Sequence, residues 1–177
     1  SARFFRRKRL NLYSSFFFTL INESNMKIDN IQDKIIEEFA QFSDKVHRIP
    51  YFRKLIQIGN DLEPIPKEEL DKEHEVKTSK SNIWIKARLT DNRVFFTAES
   101  DNSISKGLVG LLLRVFSGNT PRDIINTHLY FLNEINMYER LNQDWVEDLL
   151  AIIQKIKLLS TKLQVLEITR NDMADAI

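Results

Sequence analysis

Ser79 is the side chain with the most to explain. It sits in "VKTSKSNIW", residues 76–84, a small polar loop that runs into what reads as the front of a β-strand. A hydroxyl there could serve as a nucleophile, but an unactivated Ser hydroxyl is a poor one and needs a base within hydrogen-bond reach. None is near in sequence: His47, His74 and His128 are each isolated, and no spacing such as HxxxH suggests a metal site. The 177 residues hold no cysteine, which removes thiolate nucleophiles, disulfides, Cys-based zinc sites and iron–sulfur ligation by them. Glu99 and Asp101 precede an apolar run, where carboxylates are expected to cap a helix start and not to act as bases. His74, in a charged stretch, is expected to be solvated. Four glycines in all leave no phosphate-cradling loop, and neither a dinucleotide fingerprint nor a GxSxG elbow is present. On residue chemistry alone the chain is predicted not to be an enzyme, with no cofactor and no metal.

Charge divides the sequence more sharply than its net of +1 suggests. Residues 1–25 place Arg3, Arg6, Arg7, Lys8 and Arg9 against Glu23 alone, a net of +4, so the remaining residues carry −3. This arm also holds Phe4, Phe5 and Tyr13. Arginines suit phosphates and rings suit bases, so the eight residues named are the candidate contacts to RNA or to an acidic partner. The same composition resembles an organellar transit peptide, which favours a mitochondrion or plastid over the cytoplasm. Met26 offers a natural start for a compact body, giving an expected division into a basic-aromatic extension (1–25), a folded domain (26–170) and a short tail (171–177). The arm is expected to run away from that body. No run approaches the roughly 18 apolar residues a membrane span requires, so no membrane partner is expected.

The elements that must position Ser79 follow from periodicity. Ile28, Ile31, Ile35, Phe39, Phe42 and Val46 recur at helical spacing. A second helix is predicted over Tyr51 to Asn60, stopped by Gly59-Asn60, with Leu55 and Ile58 inward. Residues 67–80 read as a charged loop. In "NIWIKARL" the period becomes two, with Ile83, Ile85, Ala87 and Leu89 on one face and Trp84, Lys86 and Arg88 on the other. Asp91-Asn92 tolerate positive φ and predict a tight turn, returning through "RVFFTA" as a hairpin. "SISKGLVGLLLRVFSG" reads as a buried helix closed by Gly118. Thr120-Pro121 then pairs an N-cap with proline at the first helical position. A short piece near Phe131 to Tyr138 precedes a long helix carrying Val146, Leu149, Ile153, Ile156, Leu159, Leu163 and Leu166, long enough to project beyond the body. The class is α+β: helices on a small antiparallel sheet with its hairpin near 82–98.

This order resembles the SufE family of sulfur-acceptor proteins, with a SufE/IscU-like fold, over roughly residues 30–160. The segments that carry the resemblance are "FRKLIQIGNDL" (52–62), "SNIWIKARL" (81–89), "VFFTAESDNSISKGLVGLLLRVFSG" (94–118) and "TPRDII" (120–125). In that family a Gly-Cys-Gln-Ser loop before a Val-Trp strand carries a cysteine. The cysteine accepts persulfide sulfur from a PLP-dependent cysteine desulfurase for iron–sulfur cluster assembly. The resemblance places Thr78 at the glycine, Ser79 at the cysteine, Lys80 at the glutamine and Ser81 at the serine. Trp145 falls at an arginine of the family's Ser-Arg-Ser-x-Gly-like run and Asp148 at its glycine, while Asp101 matches a polar site residue.

A Ser hydroxyl cannot carry sulfane sulfur. Several site positions depart together while the core pattern stays, which points to a scaffold that kept its fold and lost its chemistry by natural degeneration. The resulting expectation is a non-catalytic, SufE-like structural or binding subunit of a larger assembly, such as an organellar ribonucleoprotein (a mitochondrial ribosome, for example). The alternative is an iron–sulfur cluster assembly protein, a SufE-like sulfur acceptor or a regulator of a cysteine desulfurase, with its cysteine replaced by Ser79.

Overall fold

The computed structural model describes residues 27–42 and 48–174, with side chains as far as residue 170. Arg3, Phe4, Phe5, Arg6, Arg7, Lys8, Arg9 and Tyr13, and the expected course of the arm, lie outside the described residues, as do Val46 and His47.

The first helix, α1, covers residues 27–40 and buries Ile28, Gln32, Ile35 and Phe39, one stripe at spacings of three and four. Gln32 is the polar member of that stripe. Its amide donates to the His128 carbonyl at 3.2 Å, so it is buried with a partner. Helix α2 (Arg48–Asn60) begins three residues before the expected Tyr51, and buries Tyr51, Leu55, Ile58 and Gly59. The Tyr51 hydroxyl donates to Met137 Sδ at 3.4 Å, and burial pushes the phenol well above its ordinary range.

The sheet has three antiparallel strands in the order β1 (Glu75–Lys77), β2 (Asn82–Thr90) and β3 (Arg93–Ser100). Asp91 and Asn92 have φ of 49° and 57°, the left-handed pair that a two-residue hairpin turn requires. The register pairs Ile85 with Ala98 and Leu89 with Val94, which keeps the apolar residues of both strands on one face. β1 corrects the expectation of a loop over 67–80. A single 3-10 turn at Lys67–Glu69 precedes it, and Val76 then pairs with Ile83. With one apolar residue between two charged ones, Glu75-Val76-Lys77 is too short to be told from a charged loop by alternation; the strand exists because β2 offers it an edge.

Helix α3 (Ser103–Phe116) is the centre of the core: of its fourteen residues only Ser103 and Arg114 are exposed. It packs on both α2 and β3. Its N-cap is Asn102, whose side chain accepts from the N–H groups of Ile104 and Ser105. The sequence predicts Asp101 and Glu99 as caps, and neither holds that place. Gly118, at φ 80°, turns the chain out of α3, and Thr120 and Pro121 open α4 (Pro121–Asn126) as expected. Two short helices, α5 (Phe131–Glu134) and α6 (Met137–Arg140), stand where one piece was predicted, because Asn136 at φ 54° breaks the run. The last helix, α7 (Gln143–Ala174), has 32 residues and spans about 48 Å. It buries Leu149, Ile152 and Ile156, while Val165, Leu166 and Ile168 toward its end are exposed, as expected of a helix long enough to project beyond the body. The architecture is α+β, with α3 and α7 packed against a three-stranded antiparallel sheet. No helix among the described residues is long and apolar enough to cross a membrane.

One ion-pair cluster joins three helices. Glu38 of α1 accepts from both Arg114 nitrogens, at 2.5 and 3.0 Å, and lies 3.5 Å from Lys54 of α2. The Arg114 hydrogen bonds, opposed in part by desolvation, hold the Glu38 carboxyl below its ordinary 4.5. A carboxyl depressed by folding stabilises the protein above its unfolded pKa and loses that effect as pH falls through its folded value. Glu38→Gln should therefore lower stability at pH 7 by about 1 kcal/mol or less, as for an exposed pair. The parent and the variant should converge in denaturant midpoint as pH falls below 4.5, and a gap that persisted to pH 2 would assign the loss to packing.

Candidate functional site

Residues 78–81 form the loop between β1 and β2, closed by the Lys77–Asn82 pair. The loop is built from its own polar atoms. Thr78 N–H and Thr78 Oγ1 both donate to the Ser81 carbonyl, at 3.2 and 3.0 Å, and Ser81 N–H donates back to Thr78 Oγ1 at 3.2 Å. Asp101 secures the strand end beside it, accepting from Asn82 N–H at 2.9 Å and from the Asn82 amide at 2.6 Å. Asp101 thus orders the start of β2 instead of capping α3.

Ser79 is exposed at the tip, and its hydroxyl donates to Glu147 Oε2 at 2.8 Å. Lys80 is exposed next to it. A carboxylate at this distance could in principle take the hydroxyl proton, but Ser and Glu alone make a feeble nucleophilic pair. An exposed carboxylate is a weak base, and neither Ser79 nor Glu147 has a further side-chain partner among the described residues to orient it. Beneath the tip, Ser81 is buried and donates to Asp148 Oδ2 at 2.7 Å. Ser105, from α3, donates to the same oxygen, and the two hydroxyls lie 3.1 Å apart. Asp148 is completely buried, and its Oδ1 has no hydrogen-bond partner among the described residues.

Trp145 stands one turn before Asp148 and Leu149 on α7. It is half-buried, with its ring 5.4 Å from that of Phe52 on α2. Arg48 lies over the Phe52 ring, 5.6 Å from its centroid. His74 is half-buried and its Nδ1 lies 2.6 Å from Asp71 Oδ1, so it is paired and not simply solvated. No group of three or more metal-ligating side chains forms a cluster among the described residues.

The structure therefore brings Thr78, Ser79, Lys80 and Asp101 together around one loop, with Trp145 on the neighbouring helix. The missed members are Glu147 and Ser105. Both are distant in sequence, and only the packing of α7 and α3 against the loop reveals them.

The family model of the SufE domain, described as Fe-S metabolism associated, matches residues 33–160. The chain belongs to the SufE family. Among relatives, it is 29% identical to an uncharacterized SufE-like protein of Rhizobium meliloti over 130 residues, which cover 71% of this chain and 91% of that protein. It is 34% identical over 92 residues to an uncharacterized SufE-like protein of Synechocystis, covering 52% of this chain and 56% of that one. In three dimensions it is similar to the solution structure of a hypothetical protein from Thermus thermophilus, with a TM-score of 0.60 and 15% identity. That match covers 76% of this chain and 96% of the other. The match to the SufE model ends at residue 160, so the part of α7 that carries Val165, Leu166 and Ile168 lies beyond it.

Proposed function

We propose that this SufE-family protein works by binding and not by carrying sulfur. The observation that supports the reading is the fate of the acceptor position: Ser79 has no thiol and gives its hydroxyl to Glu147, beside an α7 that presents Trp145 and a buried Asp148. A persulfide carrier needs a thiolate, and no residue of the chain supplies one. What remains is a folded SufE body with an exposed loop tip and a basic-aromatic arm, the parts of a binding subunit.

The partner we propose is a larger assembly, an organellar ribonucleoprotein, engaged through Arg3, Arg6, Arg7, Lys8 and Arg9 with Phe4, Phe5 and Tyr13 beside them. The competing partner is a PLP-dependent cysteine desulfurase, the enzyme SufE proteins engage. It is favoured by one feature: the 78–81 loop still leads into the Trp84-bearing strand with its fold intact.

Affinity capture of the full chain from its native source, repeated over rising salt, separates the two. Association through the arm should bring down RNA and should weaken steeply with salt. If about five phosphates of a single strand are engaged, log affinity should fall against log salt with a slope near −3.5. Alanine at the five basic residues should abolish it while the domain stays folded. Recovery of a PLP enzyme instead, unaffected by those five substitutions, would replace the first partner with the second. Catalytic sulfur labelling of the unaltered chain would overturn the non-catalytic reading itself.

A further inference from the structure

The buried carboxylate of Asp148 is out of place on energetic grounds. One oxygen receives both Ser81 and Ser105, while the other has no hydrogen-bond partner among the described residues. A half-satisfied buried carboxylate is costly, and such groups are a poor source of net stability. What this one does is geometric. Ser81 belongs to the loop, Ser105 to the first turn of α3, and Asp148 to α7, so a single side chain ties three separate elements at one point. The other ties of the loop are weaker in kind. The hydrogen bonds between Thr78 and the Ser81 backbone stay within the loop, and Ser79 to Glu147 is an exposed contact.

We propose that Asp148 is a positioning residue that bolts the 78–81 loop to the body, making it a fixed part of the surface, at no gain or some loss of global stability. The inference holds whichever partner the surface meets. It also accounts for a carboxylate at a position where the family pattern has glycine: a glycine there has no side chain to reach Ser81, so it leaves the loop without this tie.

The test is residue-resolved amide exchange on the full chain, comparing the parent with Asp148→Ala. In the variant the Ser81 and Ser105 hydroxyls, 3.1 Å apart, still have each other, so the domain should fold with an unchanged or higher melting temperature. The amides of Thr78, Ser81 and Asn82, each hydrogen-bonded in the parent, should exchange at least tenfold faster. Those of Ile58 and Gly59 in α2 should not change. Asp148→Asn, which keeps an acceptor oxygen for the hydroxyls, should restore most of the protection and guards against an effect of lost volume. Unchanged loop exchange in Asp148→Ala would overturn the proposal. A general acceleration across α2, α3 and the loop alike would do the same, since it would make Asp148 an ordinary stability residue.

Discussion

Gly107→Ala should lower the stability of the domain by about 2–3 kcal/mol, near the upper end of what one added methyl group costs in a packed core. The reason is the crossing of α2 and α3, which meet backbone to backbone. A Cβ on Gly107 would lie 2.8 Å from the Leu55 carbonyl carbon and closer still to its oxygen. One on Gly59 would lie 2.7 Å from the Gly107 nitrogen. Neither neighbour is a flexible side-chain end that could swing aside, and both helices are held in the packed core, where Leu55 and Leu108 are completely buried. Relief therefore requires the two helices to separate, which would loosen the contacts of Leu55, Ile58, Leu108 and Leu111 with them. At roughly 2–4 °C per kcal/mol for a chain of this size, the melting temperature should drop by about 5–10 °C. Gly59→Ala should behave alike, and the two together should cost less than their sum, since one separation of the helices accommodates both. Scanning calorimetry decides it: a Gly107→Ala melt within 2 °C of the parent, on the order of 1 kcal/mol or less, would mean the crossing is not closed on backbone contact.

What was legible in the sequence follows from how local each signal is. The β2–β3 hairpin could be read because both of its causes, alternation and the Asp91-Asn92 turn, lie within nineteen consecutive residues. Helix α3 could be read because eleven of its residues are buried, which left almost no polar character to mislead. β1 could not, since Glu75-Val76-Lys77 becomes a strand only through the edge that β2 presents. The cap of α3 was misassigned by one residue. Asp101 and Asn102 are both good caps by type, and the choice depends on Asn82, which claims the Asp101 carboxylate from nineteen residues away. The length of α7 could be read from its period, which runs unbroken to Leu166, but not the point at which burial gives way to exposure, since Leu166 keeps the period and is exposed. The site shows the same division. Thr78, Ser79, Ser81 and Asp148 were located by resemblance to the family pattern. The contacts that decide their chemistry join residues 43 to 68 positions apart and come from packing.

Those contacts make the result of restoring the cysteine specific. Ser79→Cys alone should transfer little or no sulfur from a cysteine desulfurase, and the cause should be electrostatic. The new thiol would sit where the Ser79 hydroxyl now meets Glu147 Oε2 at 2.8 Å. A carboxylate at that range opposes formation of the thiolate, so the thiol pKa should rise above its ordinary value of about 8.5. Each unit of that rise cuts the thiolate present at pH 7 tenfold, starting from only a few per cent. Lys80 is too exposed to compensate fully, and Trp145 puts an indole where the family pattern has arginine. Because the chain has no other cysteine, the thiolate can be titrated directly by its ultraviolet absorbance, without background. The pKa of Ser79→Cys should lie above that of free cysteine in the same buffer. Adding Glu147→Gln should bring it down by about one unit and speed reaction with a disulfide probe at pH 7 about tenfold. Adding Trp145→Arg should bring it lower again. Sulfur transfer should rise in that order, from near background in the single variant. If Ser79→Cys alone already titrated below 8 and accepted sulfur efficiently, the site would have kept its chemistry apart from one atom, and the case for a scaffold that has lost its function would fall.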